Sequence, residues 1–124
     1  MTEDWLIASC LEVERAARAA QRAIDPVISS LGWACEARGS GLSVTEIVEG
    51  LIARGGPQTR RGAADALRGY ERAMTHFRST LIRGLVEGEG LSVAEVARRL
   101  SISRQMAARL YARAEPREAA STVP

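Results

Sequence analysis

Residues 90–110 read GLSVAEVARRLSISRQMAARL, a pattern that predicts two short helices joined by a tight turn. Ser92 followed three residues later by Glu95 is a capping box, in which each side chain satisfies a backbone N–H of the other residue. Ser103 is a second helix cap, and we expect the helix that it starts to cover 103–112. Two helices joined by a turn of three or four residues cross steeply and bury their apolar faces together.

Helical periodicity sorts the side chains of this pair into a buried set and an outward set. The buried set is apolar: Val96, Ala97, Leu100, Ile102, Ala107 and Leu110. The outward set of the second helix is polar apart from one alanine: Arg104, Gln105, Ala108 and Arg109. Two packed helices do not require an outward set of this kind, so it is the candidate binding surface.

The N-terminal part of the chain predicts a long apolar stripe of helical period. Thr2 precedes two acids, which is a typical helix start. The stripe continues to about Ile24, where Asp25 and Pro26 interrupt it. Because proline bends a helix or begins one, we expect either a kink there or a restart that runs to about Ala34.

The middle of the chain predicts one short helix and one long helix. A loop is expected over 36–42, and Ser43 with Glu46 forms another capping box for a helix over 43–56, which a glycine pair ends. A long helix is expected over 58–86, with a buried side made of Leu67, Tyr70, Met74, Phe77, Leu81 and Leu85.

The two capped segments resemble each other. GLSVTEIVEGL (41–51) and GLSVAEVARRL (90–100) share six identities in eleven residues. A duplication would explain these identities, and so would convergence of two similarly capped helices, and the sequence leaves both open. The residues after the two segments differ, so only the second segment leads into another short helix.

Composition narrows the classes of function. The chain has 124 residues, of which 46% are apolar and 4% aromatic, as expected for one domain with a modest core. His76 is the only histidine and there is no phosphate-binding glycine motif, so we expect no enzyme, no metal and no cofactor. Cys10 and Cys35 are isolated, and we expect buried, reduced thiols. The acidic start and the lack of a long apolar run predict a cytoplasmic protein without membrane contact.

Charge is distributed unevenly along the chain. Residues 1–50 hold four arginines and eight acids, whereas residues 51–124 hold thirteen arginines and seven acids. This polarity favours a polyanionic partner for the C-terminal part, although solvated helix faces would give the same counts.

The stretch SVAEVARRLSISRQMAARL resembles the helix-turn-helix motif of bacterial transcription regulators. It is similar to the versions in sigma-factor region 4 and in the DNA-binding tails of site-specific resolvases. Ser101 stands where that motif usually has glycine, and Ala107 where it usually has valine or isoleucine. A left-handed Ser101 would cost about 1 kcal/mol, so we expect a slightly different turn. The matching positions are Glu95, Ala97, Leu100, Ile102, Ser103, Arg104 and Leu110.

The resemblance implies that the second helix enters the major groove of double-stranded DNA. Arg104 and Gln105 would then read base edges, since arginine bonds guanine and glutamine bonds adenine in that groove. Arg109 would read a base or hold the backbone. The residues implied to contact phosphates are Ser103, Arg98, Arg99 and, more weakly, Arg113.

The apolar stripes of 1–34 and 58–86 contain more apolar surface than a two-helix motif needs. We expect one or both to build a homodimer interface, since such proteins bind paired half-sites. The alternative is that the stripes pack on each other within a monomer. Trp5 and Trp33 bracket the first stripe and are expected in a core or an interface.

These patterns predict an all-α fold, a small multi-helical domain with a C-terminal helix-turn-helix and no wing. We divide the chain into an N-terminal helical region (1–56), a DNA-binding region with the long helix (57–114) and a disordered tail (115–124). The hypothesis is a sequence-specific, dimeric transcriptional regulator that is nucleoid-associated when bound to DNA. The alternative is a helical protein-interaction module, for example a partner of RNA polymerase or of another regulator. Any small-molecule effector is left open.

Overall fold

A computed structural model describes residues 4–113, and every regular element in it is helical. The described residues contain no strand, so the prediction of an all-α protein is confirmed. In chain order the elements are α1 (Trp5–Gly39), α2 (Val44–Ala53), α3 (Gly56–Arg83), a π-helical continuation (Gly84–Gly88), α4 (Val93–Leu100) and α5 (Arg104–Arg113).

The chain divides into two compact units. The middle unit spans Glu14–Glu71, and the terminal unit combines the residues up to Val13 with those from Arg72 onward. Both boundaries fall inside long helices, one in α1 and one in α3. The functional regions predicted for 1–56 and 57–114 are a separate division and stay predictions, and the predicted disorder of the tail lies outside the described residues.

Asp4 caps α1. Its Oδ1 accepts hydrogen bonds from the backbone N–H groups of Leu6 and Ile7 at 2.8 and 3.1 Å. These donors have no partner within the helix, and an aspartate at this position also favours the positive end of the helix. The predicted cap, Thr2, lies outside the described residues.

Pro26 lies inside α1, so of the two expected alternatives, a kink or a restart, the restart at Asp25 is wrong. Asp25 and Pro26 are both exposed. The carbonyl four residues before the proline loses its helical N–H donor, and at an exposed site it can bond to water instead. The apolar period continues on both sides of the proline, which keeps the two halves in one helix. The loop predicted over 36–42 is correspondingly shorter and covers 40–43.

In the middle unit, Trp33 of α1 packs against α2 at Gly50. A β-carbon at Gly50 would lie 2.1 Å from Cη2 of Trp33, so the indole fills the space that a side chain would need. The guanidinium of Arg54, just after α2, lies 4.3 Å from the centroid of the Trp33 ring. Glycine at position 50 is therefore what allows α1 and α2 to approach.

In the terminal unit, Trp5 packs in the same way against Gly84. A β-carbon there would lie 2.6 Å from both Cη2 and Cζ2 of Trp5. Both tryptophans thus pack within their own units. The predicted burial of Cys10 and Cys35 is wrong, because each lies on a face of α1 that the described residues leave uncovered.

The core of the terminal unit joins three helices. Ile82 of α3, Val96 of α4 and Leu110 of α5 are buried in one cluster. The half-buried side chains around the cluster are Leu85, Val86, Leu91, Ile102, Met106 and Tyr111.

The part of α3 in the middle unit differs from the prediction at one position. Leu67 was expected on the buried side of α3 but is exposed, and α3 instead buries the smaller Ala63 one turn earlier.

Candidate nucleic-acid interface

The start of α4 matches the predicted cap in part. Gly90 has a φ of +75°, which glycine adopts without strain, and it leads the chain into the cap. Ser92 is extended, and its Oγ accepts a hydrogen bond from Glu95 N at 3.1 Å. Within the described residues Glu95 does not return the bond. Its carboxylate lies 3.9 Å from Nη2 of Arg99, the cation one turn further on, so half of the capping box forms.

The turn after α4 is left-handed at Ser101, with φ 57° and ψ 42°. Ser101 N donates to Arg98 O at 3.3 Å, and Ile102 N donates to Ala97 O at 3.0 Å. These two bonds make a Schellman motif, the turn in which glycine is usual. The expectation of a different turn is therefore wrong: serine adopts the glycine conformation, and the bonds to two helix-end carbonyls offset its cost.

This turn also decides which apolar side chain covers the core. Ile102 comes directly after the left-handed residue and packs against the cluster of Ile82, Val96 and Leu110. Leu100, predicted to be buried beneath the turn, is exposed. A Schellman motif brings the residue after the turn back onto the helix, so Ile102 occupies this position and Leu100 does not.

Ser103 caps α5. Its Oγ accepts a hydrogen bond from Met106 N at 2.9 Å, and its carbonyl accepts from Ala107 N at 3.0 Å. The hydroxyl acts as acceptor in the cap, so its proton is still available for donation to an oxygen atom of a ligand. Ser103 thus places a donor at the positive end of α5.

The orientation of α5 is fixed by the best-packed part of the terminal unit. Val96 and Ala107 have no exposed surface, and Ala97 and Leu110 are nearly as buried. The two alanines let the backbones of α4 and α5 approach closely. Burial of a valine or leucine stabilises a fold by about 1.5–3 kcal/mol, so these contacts hold α5 firmly against α4.

All seven residues predicted to contact DNA are exposed: Arg98, Arg99, Ser103, Arg104, Gln105, Arg109 and Arg113. Arg104, Gln105 and Arg109 fall within an arc of about 140° on the side of α5 opposite its buried face. Arg98 and Arg99 lie in the last turn of α4. Arg113 is at the far end of α5, about 13 Å along the axis from Arg104, so it is not part of the group at the helix start.

The α4–α5 pair is strongly positive. Residues 93–113 contain five arginines and a single acid, Glu95. Arg98 and Arg104 have no carboxylate partner among residues 4–113. Arg109 Nη2 donates to Met106 Sδ at 3.6 Å, a weak bond that an anion can replace. These cations are therefore available to an external ligand.

A cluster that the sequence did not single out ties the end of α5 to the segment after α3. Tyr111 OH donates to Glu87 Oε2 at 2.9 Å, and Arg83 Nη1 donates to the same oxygen at 2.6 Å. The guanidinium of Arg83 also lies 5.0 Å from the centroid of the Tyr111 ring. The four-residue spacing of Arg83 and Glu87 predicts an ion pair on one side of a helix. Nothing in the sequence links this pair to a tyrosine 24 residues after Glu87.

The hydrogen bond to Glu87 raises the pKa of Tyr111 above its usual 10.0. The bond stabilises the protonated phenol, desolvation and the charge of Glu87 act in the same direction, and the charge of Arg83 opposes them. The phenol is protonated at neutral pH, and the raised pKa keeps it protonated to still higher pH. This cluster makes Tyr111 a positioning residue for α5.

Comparison of the chain with protein-family models, with curated proteins and with solved structures finds no match. The candidate interface rests on the residues and contacts described above. In the part of the chain that the structure describes, no three His, Cys, Asp or Glu side chains lie together as a metal site would require. None of the helices over 4–113 combines the length and the apolar character needed to cross a membrane.

Proposed function

We propose that the protein binds double-stranded DNA sequence-specifically and acts as a transcriptional regulator, with α4 and α5 as its helix-turn-helix. The observation that carries this proposal is the two-sided character of α5. One side is buried against α4 through Ala107 and Leu110, and the other presents Arg104, Gln105 and Arg109, to which no carboxylate of residues 4–113 is bound. Structural packing alone does not require such an outward face.

The dimensions of α5 suit the major groove. Ten residues make a helix about 15 Å long and 10–12 Å across, and the major groove of B-DNA is about 12 Å wide. Because α5 is short and its start is exposed, its first turn can approach base edges while α4 crosses the phosphates. Arg104 would then take guanine O6 and N7, and Gln105 would take adenine N6 and N7.

The residues around α5 supply phosphate contacts in this arrangement. The Ser103 hydroxyl would donate to a phosphate oxygen at the positive end of the helix. Arg98 and Arg99 would contact the backbone from α4, and Arg113 would do so from the far end of α5. Arg109 would either read a base or hold the backbone, since it lies one turn beyond Gln105.

A single reader of this size makes few contacts, so we propose a homodimer that reads two half-sites about one helical turn apart. With three arginines on phosphates, the logarithm of the affinity should fall against the logarithm of salt with a slope of about −3 for one reader and about −5 to −6 for two. The selected site is expected to be palindromic.

The test is selection of bound duplexes from a random pool, followed by titration of the selected site at several salt concentrations. Arg104→Ala should lose about 1–3 kcal/mol on that site and lose discrimination at one base pair. Arg104→Lys keeps the charge but not the bidentate geometry, so it should recover nonspecific affinity only. Arg15→Ala, at an exposed arginine of the middle unit, is the control and should bind normally.

The exposed apolar side of α2 is the observation that favours the other candidate, a helical protein-interaction module that does not touch DNA. Salt separates the two. If the protein enriches no sequence and shows no salt-sensitive binding to any duplex, the regulator proposal is wrong.

A further inference from the structure

The middle unit lacks a conventional core. Its buried apolar residues are all alanines: Ala20, Ala37 and Ala63. The terminal unit, by comparison, buries Ile82, Val96 and Leu110. A unit of this size depends on large buried side chains for stability, so its apolar surface needs a cover that residues 4–113 of a single chain do not supply.

The uncovered surface is concentrated on two helices. Val44, Val48 and Ile52 form a stripe at four-residue spacing on α2, and Ile28 and Leu31 lie one turn apart on α1. These five side chains are each between 47% and 64% exposed. We call these five side chains, together with the depression between the helices that is described next, the apolar groove.

The groove itself is a depression of about 450 Å³ between three helices of the middle unit. Val27 and Leu31 of α1 form one wall, and Val48 and Ile52 of α2 form the other. The first turn of α3 completes the lining, with Pro57 and the exposed Arg60 among its residues. Its form suits an apolar ridge such as a helix side.

The size of this surface matches one face of a stable dimer. Five branched side chains that are about half exposed present on the order of 400–500 Å² of apolar surface, within the range of about 300–600 Å² for the largest patch of a typical monomer, a patch that is often functional. A standard interface buries about 800 Å² per partner, of which about 57% is apolar, or again on the order of 450 Å².

We propose that a second copy of this chain covers the apolar groove. The proposal rests on the homodimer of the proposed function and assigns the surface that forms it. In a two-fold arrangement each copy presents both a groove and a ridge, so one patch can satisfy itself. Ile28, next to the groove-lining Val27 in sequence, and Val44, one turn before the groove-lining Val48, are exposed and can serve as the ridge.

Two observations favour a second copy over a different protein. The middle unit is almost neutral, with eight arginines and seven acids over 14–71, so two copies do not repel each other. A surface needed for the unit's own stability must also be covered whenever the chain is folded. A second copy is the partner that is present at the same concentration as the chain itself.

The test measures the sedimentation of the full chain between about 1 and 100 µM. The wild type should sediment as a dimer in this range, and its Tm should rise with protein concentration, a readout that needs no variant. Ile52→Glu buries an unpaired charge in the interface and should raise the dissociation constant by about 100-fold or more. Ile7→Glu is the matched control, because Ile7 in the terminal unit is 58% exposed and Ile52 is 59% exposed.

A wild type that is monomeric at about 100 µM, with a concentration-independent Tm, overturns the assignment. It does so even if a different protein occupies the groove. An Ile52→Glu protein that dimerises as tightly as the Ile7→Glu control overturns it as well. DNA binding distinguishes this failure from that of the proposed function. A monomer that still binds its selected site overturns the homodimer and its surface but leaves DNA binding standing, and a dimer that binds no DNA overturns only the regulator.

Discussion

Segments 41–51 and 90–100 form the same local structure from similar sequences. Each starts with a glycine at positive φ, then an extended serine whose Oγ caps a helix that begins at a valine. Yet α2 has no buried residue, whereas α4 buries Val96 and Ala97. Local sequence determines the cap and the helix, and the next part of the chain determines whether the helix is covered.

The connections after the two helices differ in one structural respect. After α4, the left-handed Ser101 turns the chain back, so that α5 lies over Val96 and Ala97. After α2, Gly55 leads into a long helix instead, and Val48, the counterpart of Ala97, remains exposed. An alanine at position 97 allows a second helix to cross closely, and the bulkier valine at 48 stays on the surface as part of the groove wall.

The largest expected effect comes from shortening one valine in each segment, a buried one and an exposed one. Val96→Ala should lower the free energy of unfolding by about 2–3 kcal/mol, because Val96 has no exposed surface and the lost methyl groups leave a cavity. Val44→Ala removes the same atoms from a side chain that is largely exposed and should cost about 0.5 kcal/mol or less. Urea unfolding of both variants measures the difference, and equal losses would contradict the described burial.

Gly50→Ala should rank next, with a loss of about 1–3 kcal/mol. The new methyl group would meet the Trp33 ring at 2.1 Å, so the indole must leave its place. Gly32→Ala, one residue before that tryptophan on α1, is the control, because nothing lies within 4 Å of its β-carbon. The control should gain about 0.5–1 kcal/mol from helix propensity, and a gain in Gly50→Ala as well would argue against the α1–α2 contact.

The turns that end α1 and α4 allow glycine and serine to be exchanged between them, with smaller expected changes in stability. Gly41 ends α1 in the same bond pattern as Ser101 after α4, since Leu42 N donates to Ala37 O at 3.1 Å. Ser101→Gly should gain about 0.5–1 kcal/mol by removing left-handed strain. Gly41→Ser should lose about as much. Thermal unfolding of the pair tests this, and a loss in Ser101→Gly would mean that the serine side chain stabilises its turn.

The smallest effect is a pH dependence at the α2 cap. Hydrogen bonds from Ser43, first from its backbone N–H and then from its hydroxyl, lower the pKa of Glu46 below its usual 4.5. The ionised carboxylate therefore stabilises the fold above pH 4.5, and this contribution is lost as pH falls through the lower folded pKa. Glu46→Gln should remove that part of the acid sensitivity.

The matched variant for this measurement is Glu95→Gln, because the Glu95 carboxylate does not bond to Ser92 N. It should leave the contribution of Glu46 in place. Helicity measured by circular dichroism from about pH 6 to about pH 3 compares the two proteins. An unchanged acid transition in Glu46→Gln would show that the cap bond has no role in it.

The sequence predicted the features that depend on neighbouring residues. The caps at Ser43, Ser92 and Ser103, and the burial of Ala107 and Leu110, result from spacing within one or two turns of helix. The exposure of the outward arginines results from the same period. These features are set by contacts within a few residues, and periodicity reports such contacts directly.

The features that the sequence did not predict depend on distant residues or on a balance of small energies. The link from Tyr111 to Glu87 joins separate elements, and no spacing rule covers it. α1 continues through Pro26 because the apolar stripe on both sides favours one helix by more than the single hydrogen bond that proline removes. The left-handed Ser101 costs about 1 kcal/mol, which the bonds of the turn offset, so a rule that reserves the position for glycine gives the wrong turn.

Each unit also carries one of the chain's two tryptophans, Trp5 in the terminal unit and Trp33 in the middle unit, and each indole rests on a backbone glycine. An indole that leaves such a site enters water, and its fluorescence shifts to longer wavelength. Trp5→Phe and Trp33→Phe therefore yield two proteins with a single optical reporter each. Coincident or separate melting of the two signals would tell whether the long helices shared by both units make them unfold as one.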